Sequence, residues 1–262
     1  WWVASIFMAG LLAATILLWA MGLGLLAGLE RMAPLMGSPG QRATLLALSR
    51  LRASTLLVWI TFSLGALLIT VLIAIPIGIL SAVRQDSAAD YIARGGAIFF
   101  YAIPGFWIAT LVLVFASLWF NWAPPTEYHA LWEDPAANLK QIAIPTILLG
   151  LSPIGTLIRL VRTQVLEVIR QDYVRTARAK GLPSRLVYTR HVLRNSLLPI
   201  VTVVGLQVPN LVAGTVIFEQ VFVLPGVGRY LLEAVQRLDL YVLMATNLFF
   251  GALIVGSNLL VD

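Results

Sequence analysis

Cysteine is absent from the 262 residues of the chain, and charged residues make up only 11% of it. Without cysteine the chain has no disulfide and no thiolate chemistry, so the redox compartment stays undetermined. A soluble domain has about 25% charged residues, so this composition excludes an ordinary soluble domain. Hydrophobic residues make up 60% of the chain, which indicates a polytopic membrane protein.

Motifs for energy conversion and for catalysis are also missing. No G-x-x-x-x-G-K-[ST] motif is present, so the chain lacks the loop that cradles the phosphates of ATP. The two histidines, His129 and His191, are far apart, and there is no H-E-x-x-H motif or cysteine cluster to hold a metal. We therefore expect no catalytic residue, no metal and no cofactor in this chain, and we do not expect it to be an enzyme.

Ionisable residues are absent from the middle of the long apolar stretches, where proton-coupled carriers usually place one. This absence argues against a secondary transporter and against an intramembrane protease, so the energy for any transport must come from another polypeptide. The net charge is +6, but the basic residues cluster beside apolar stretches. Membrane topology explains them better than nucleic acid does, and no nucleic-acid partner is expected.

Six uncharged stretches are long enough, or nearly so, for helices that cross a membrane, which takes about 20 apolar residues. They are residues 1–29, 53–83, 95–126, 141–158, 195–218 and 240–261. No strand-like alternation is visible, so we predict an all-α transmembrane bundle of about six spans. We divide it into residues 1–52, a span with its outer connector, and residues 53–262, a five-span core with a cytoplasmic loop at 163–194.

The basic residues predict an orientation. Eleven Lys and Arg fall in the connectors assigned to the inside, nine within 159–194 and two within 84–94, against seven on the other side. The positive-inside rule then places both termini in the cytoplasm. Arg162 and Glu167 are not at ideal pairing distance along a helix, so no salt bridge is predicted for them.

The longest polar interruption, residues 172–199, reads DYVRTARAKGLPSRLVYTRHVLRNSLLP. Asp172 is a good helix N-cap, Gly181 occupies the site of a left-handed C-terminal residue, and Pro183 prevents continuation. These signals predict a helix of about two turns, which is marginal alone and needs a surface to dock on. Charge alone favours another interpretation, in which this basic segment lies on anionic lipid headgroups.

This segment resembles the cytoplasmic EAA loop of ABC importer permeases of the dipeptide and oligopeptide type. The matching runs are Tyr-Val-Arg-Thr-Ala-Arg-Ala-Lys-Gly at 173–181, His-x-Leu-Arg-Asn at 191–195 and Leu-Pro at 198–199. The resemblance implies that the loop is a coupling helix in a cleft of an ATPase subunit, and the small Ala177 and Ala179 would allow close approach. The implied contact residues are Asp172, Tyr173, Arg175, Thr176, Ala177, Arg178, Ala179, Lys180 and Gly181.

Two further runs are similar to the same family. In Ile103-Pro104-Gly105-Phe106-Trp107, Pro104 removes a helix hydrogen bond and predicts a kink, unless it is a tolerated transmembrane proline. The run at 224–229 is similar to an outer Pro-Gly-x-Gly-Arg motif that folds back into the pore mouth as a scoop, and an ordinary interfacial helix is the alternative. The implied scoop residues are Pro225, Gly226, Gly228 and Arg229.

Polar side chains interrupt the fifth stretch. Gln207 and Asn210 are three residues apart and share a helix face. Such residues usually join helices to one another, and the alternative is that they line a translocation pathway. Together with Glu219, which follows the stretch, they are the candidate pathway residues.

The resemblance implies a permease subunit of an ATP-driven ABC importer in a bacterial or archaeal inner membrane, forming half of the pathway for dipeptides or oligopeptides. The implied partners are a second permease in a heterodimer, two ATPase subunits that bind ATP and Mg, an extracytoplasmic substrate-binding protein and membrane lipids. Relatives in this family import nickel or other small solutes. The alternatives of another class are a channel or facilitator without ATPases and a lipid-binding membrane scaffold.

Overall fold

The structure is a computed structural model that describes residues 53–261 except 126 and 132, together with Gly24 and Pro39. Every regular element from 53 to 261 is a helix, and this part of the chain confirms the all-α prediction. In chain order the helices are α1 (Ala53–Val83), α2 (Ala88–Ala102), α3 (Gly105–Phe120), α4 (Pro135–Leu151), α5 (Ile154–Ile169), α6 (Asp172–Ala179), α7 (Leu193–Val221), α8 (Val227–Gln236) and α9 (Leu240–Val261). The segments Ser184–Leu186 and Val187–Val192, the second of them π-helical, lead directly into α7.

The central helix of this bundle is α1. It is 31 residues long, has no charged residue, and packs mainly against α5, α4 and α7. Phe62 and Ala66 on it are completely buried. The Thr70 hydroxyl, also completely buried, donates to the Gly150 carbonyl at 2.6 Å, so this polar group enters the core with its hydrogen bond satisfied. An apolar stretch that could face lipid all round therefore builds the core of the protein.

One helical stretch, Val58–Val83, is by itself long and apolar enough to cross a membrane. Two helix pairs pass the same test when each pair is taken together: α2 with α3, and α4 with α5. By length and composition the part of the chain described here thus holds up to three such spans. The predicted span and connector in residues 1–52 lie outside the described residues apart from Gly24 and Pro39, and the total of six stays a prediction.

The predicted third span is wrong in its bounds and in its continuity. In place of one kinked helix over 95–126, α2 begins at Ala88, in the predicted loop, and the chain turns by 87° between α2 and α3. Pro104, the residue before α3, has no N–H to continue α2. Ile103 is extended, with φ −97° and ψ 124°, as a residue before proline prefers. The predicted kink is a complete break.

The predicted fourth span, 141–158, also falls on two helices. It starts earlier than expected because Asp134 caps α4, its carboxylate accepting from the amides of Ala136 and Ala137 at 3.0 Å. The chain then bends by 48° between α4 and α5, at Ser152 and Pro153. The fifth and sixth stretches are each one helix, and α9 has the predicted bounds.

A glycine sets the contact between α2 and α5. A β-carbon at Gly155 would overlap the carbonyl oxygen of Ala97 and lie 3.1 Å from the amide nitrogen of Tyr101. Both obstacles are helix backbone, which cannot rotate aside as a long side chain can. The two helices therefore approach at a distance that only glycine permits.

Replacing Gly155 by alanine should destabilise the bundle. Alanine is the better helix former by about 1 kcal/mol, but overpacking costs about 1–3 kcal/mol, and here the obstacle is rigid backbone. The matched control is Gly95→Ala in α2, since nothing lies within 4 Å of a β-carbon there. We expect a lower unfolding temperature of the purified protein for Gly155→Ala and an unchanged or higher one for Gly95→Ala. Equal unfolding temperatures for the two variants would contradict this packing.

Candidate functional site

Helix α6 ends as the sequence predicts. Gly181 has φ +78°, in the left-handed region. The Gly181 amide donates to the Arg178 carbonyl at 2.9 Å, and the Leu182 amide donates to the Ala177 carbonyl at 3.4 Å. This pair of bonds is the Schellman pattern of a glycine-terminated helix. Helix α6 is eight residues long, which is the predicted two turns.

The start of α6 differs from the prediction. Asp172 is the first helical residue, and the capping position belongs to Gln171, which is extended and makes no side-chain capping bond. The Asp172 carboxylate lies 3.7 Å from the guanidinium of Arg175, and both side chains are exposed. An acidic residue in the first turn interacts favourably with the helix dipole. Aspartate is therefore typical of this position as well as of the N-cap, and the sequence alone does not separate the two.

The two faces of α6 have different surroundings. Val174 and Ala177 are buried in the chain's own hydrophobic core, while the other side chains of the helix are exposed. The close approach predicted for Ala177 is therefore made to this chain, and only Ala179 of the two alanines is open to a partner. Contact with an ATPase subunit stays a prediction, carried by the exposed face.

Side chains beyond α6 hold it in place. The Asn195 side-chain amide donates to the Tyr173 hydroxyl at 2.8 Å, and the Arg178 guanidinium lies 5.7 Å from the centre of the Tyr188 ring. Tyr188 belongs to the π-helical segment before α7. The residues that support this short helix, Tyr188 and Asn195, thus lie in the same polar segment, residues 172–199.

An ion pair that the sequence analysis missed lies where α1, α2 and α5 meet. The Asp90 carboxylate is completely buried and accepts two hydrogen bonds from Arg162, from Nε and Nη2, both at 2.7 Å. It also accepts from the Ser81 hydroxyl at 2.5 Å and from the Asp86 amide at 3.0 Å. The two partners are 72 residues apart, and Asp90 was assigned to a loop, so no spacing pattern pointed to this pair.

Gln207 and Asn210 lie on one cleft, as their spacing suggested. The cleft is also lined by residues at both helix breaks, among them Gly105, Ser152 and Pro153, and its volume is about 230 Å³. The Asn210 side-chain amide donates to the Gln207 side-chain oxygen at 3.3 Å. Glu219 is not among the lining residues, so the three candidate pathway residues do not form one group.

Glu219 instead joins the candidate scoop residues. It is completely buried near the end of α7, and its Oε2 accepts from the Arg229 amide at 2.8 Å. A β-carbon at Gly226 would overlap the Glu219 carboxyl group, and one at Gly228 would lie 2.6 Å from the Cα of Val216 in α7 and 3.0 Å from Oε2 of Glu219. Gly228 therefore lets α8 approach the backbone of α7, and both glycines leave room for the carboxyl that holds the first turn of α8. Prediction from spacing could not show this, since the motif and Glu219 were treated as separate.

The turn between α7 and α8 is strained and well anchored. Val223 has φ +56°, which is rare for a β-branched residue. Its neighbours Phe222 and Leu224 are buried, and the Leu224 amide donates to the Glu219 carbonyl at 2.9 Å. Such strain persists where the surrounding structure determines the conformation. Glu219 thus fixes the turn through its backbone and α8 through its side chain.

The sequence of the chain is similar to those of known proteins. Residues 74–262 match the family described as binding-protein-dependent transport system inner membrane component. A Brucella suis biovar 1 protein, provisionally named a peptide transport system permease, is 38% identical over 210 residues, which cover 80% of this chain and 67% of the relative. The dipeptide transport system permease protein DppB of Escherichia coli K12 is 36% identical over 227 residues, which cover 77% of this chain and 67% of the relative.

A solved structure has the same fold. It is titled as inward-facing conformations of the MetNI methionine ABC transporter, and the alignment covers 86% of this chain and 94% of that one with a TM-score of 0.57. The identity is 15%, so this likeness concerns the fold alone.

Removing the Glu219 carboxyl should release α8. Glu219→Ala leaves the partly buried Arg229 amide without its acceptor, at a cost of about 0.5–1.5 kcal/mol for the lost hydrogen bond, whereas Glu219→Gln keeps one acceptor oxygen in nearly the same volume. We expect trypsin to cut purified Glu219→Ala protein faster at Arg229 and Arg237, with Glu219→Gln close to wild type. Equal cleavage rates for wild type and Glu219→Ala would contradict the anchoring of α8 by this carboxyl.

Proposed function

The chain belongs to the family of binding-protein-dependent transport system inner membrane components and is the permease component of an ABC transport system, and on this premise we propose that it forms half of a pathway for dipeptides or oligopeptides. The names of its relatives, a dipeptide permease among them, support this substrate class. Nickel or another small solute would be the alternative cargo. The substrate is delivered by an extracytoplasmic binding protein and passes between two permeases.

The proposed complex contains a second permease, which makes a heterodimer with this chain, and two ATPase subunits that bind ATP and Mg. The absence of a phosphate-binding motif in the sequence supports the proposal that ATP is bound by separate subunits. Both termini of this chain lie in the cytoplasm, as the distribution of Lys and Arg favours. A channel or a lipid-binding scaffold would purify without an ATPase subunit.

The proposal rests on one observation: the two faces of α6 have different surroundings. Its apolar face, Val174 and Ala177, is buried on the chain's own core. Its other face presents exposed polar side chains, among them Tyr173, Arg175 and Arg178, in the segment that resembles a coupling helix. A two-turn helix fixed on one side and exposed on the other can dock as a rigid body in a cleft of a partner.

The test uses the backbone of Gly181. In the left-handed conformation a side chain with a β-carbon costs about 1–2 kcal/mol, a β-branched one the most, and nothing lies within 4 Å of the added atom. Strain alone therefore acts in Gly181→Val, which should lose substrate uptake and the ATP hydrolysis stimulated by loaded binding protein, at normal membrane abundance. Gly181→Asn is the control, because asparagine tolerates this conformation, and it should retain most of both activities.

The readout is uptake and stimulated ATP hydrolysis in the assembled complex at matched expression. Unchanged uptake in Gly181→Val would show that this loop is not the coupling element. Purification of a transporting chain with no ATPase subunit would contradict the larger proposal.

A further inference from the structure

The cleft beside α7 is built where two broken helix pairs meet an unbroken helix. It is bounded by the start of α3, by the junction of α4 with α5, and by the side of α7 that carries Gln207 and Asn210. Gln207 is the central residue of α7, which runs from Leu193 to Val221. The lining residues of α7 run from Gln207 to Phe218, so the cleft extends from the middle of that helix toward its C-terminal end.

Uncharged polar groups converge on this cleft. Gln207, Asn210 and Ser152 are on its wall, and none of the described residues lining it is Asp, Glu, Lys or Arg. The first amides of α3, at Gly105 and Phe106, have no acceptor within the helix, and no side chain caps them. The wall thus offers neutral donors and acceptors beside apolar side chains such as Phe106, Leu211 and Phe218.

Two features indicate that this cleft is open to water rather than to lipid. Non-helical backbone at membrane depth is tolerated only where it is buried in protein or lines an aqueous cavity, and both helix breaks border the cleft. Asn210 is exposed and its amide donates one hydrogen bond of 3.3 Å, to Gln207. Since a primary amide has two N–H donors and an oxygen acceptor, Asn210 retains hydrogen-bonding capacity toward the cleft.

We infer that this cleft contacts the main chain of the transported peptide, with Gln207, Asn210 and Ser152 as its hydrogen-bonding groups. The inference rests on the proposed peptide import. The peptide group of the substrate is uncharged and carries one donor and one acceptor, and the charged amino and carboxyl termini of a free peptide cancel in net charge. The peptide group therefore matches a neutral wall of mixed donors and acceptors. Because the wall carries no charge, it does not sort peptides by the charge of their side chains, and Asn210 is the position where such sorting can be introduced.

The experiment measures uptake of glycyl-lysine and of glycyl-glutamate by the assembled transporter with saturating binding protein. Asn210→Asp should raise the ratio of lysine-peptide to glutamate-peptide uptake at least about fivefold over wild type, and Asn210→Lys should lower it by a similar factor. A substitution that only disturbs folding would lower the uptake of both dipeptides and leave the ratio between them unchanged. The ratio therefore separates contact with the substrate from a structural role.

Two substitutions by alanine, one in the cleft and one outside it, test the inference if a charged variant does not assemble. Asn210→Ala should raise the KM for uptake of both dipeptides about fivefold, as expected for one lost hydrogen bond. The control is Asn247→Ala on α9, which removes an exposed amide that donates to the Leu243 carbonyl outside the cleft, and its KM should stay at the wild-type value.

The outcomes are distinct. If wild type imports both dipeptides while the ratio and the KM are unchanged in the Asn210 variants, the cleft does not contact the peptide, and the proposed function stands. If the wild-type complex imports no dipeptide, the proposed substrate is wrong and the inference about the cleft falls with it.

Discussion

A buried carboxylate, Asp90, ties together three helices, at the end of α1, the start of α2 and the middle of α5. Its hydrogen bonds come from α5, from the end of α1 and from the turn before α2. Two charges in an apolar interior are stabilising only when the geometry is good and the remaining lone pairs are satisfied, and this cluster meets both conditions. Loss of one partner would leave an uncompensated charge, at a cost of about 3–5 kcal/mol. The ion pair thus fixes α5, the helix that leads through Arg170 and Gln171 into α6.

The end of α7 has a similar arrangement with different groups. Glu219, buried under two glycines, accepts from the first turn of α8 as Asp90 accepts from Arg162. The same end of α7 is joined to α1, because the Trp59 indole donates to the Thr215 hydroxyl at 3.1 Å. Both short helices, α6 and α8, are too short to be stable alone. The helix bundle therefore holds each of them by a few specific contacts, with the amide-lined cleft between them along α7.

Local signals in the sequence were sufficient for some of these features. The end of α6 followed from Gly181 and Pro183, because a left-handed glycine followed closely by a proline is a local signal for the end of a helix. The apolar stretch at 240–261 gave the bounds of α9, because no charged residue or proline interrupts it. The family resemblance predicted the all-α fold correctly, because the matching motif is long and its residues follow one another in the same order as in the family.

Other features depend on contacts between distant parts of the chain. Pro104 predicted a kink, but the angle of 87° also depends on how α2 packs on α5. The pairing of Asp90 with Arg162 spans 72 residues and leaves no periodic trace. Periodicity also could not show which face of the short α6 is buried, so it gave no sign that Ala177 packs on the chain's own core. The role of Glu219 was missed because its partner is a backbone amide, which no side-chain pattern reveals.

The claim on which this account depends is that the exposed face of α6 docks on an ATPase subunit. Because the native chain has no cysteine, single cysteines at Ala179, exposed on α6, and at Ala177, buried on it, can be compared in the complex purified under mild conditions. The account predicts a short-range thiol crosslink to an ATPase subunit from Ala179→Cys and little or none from Ala177→Cys. Purification without an ATPase subunit, or a crosslink from the buried position alone, would contradict it.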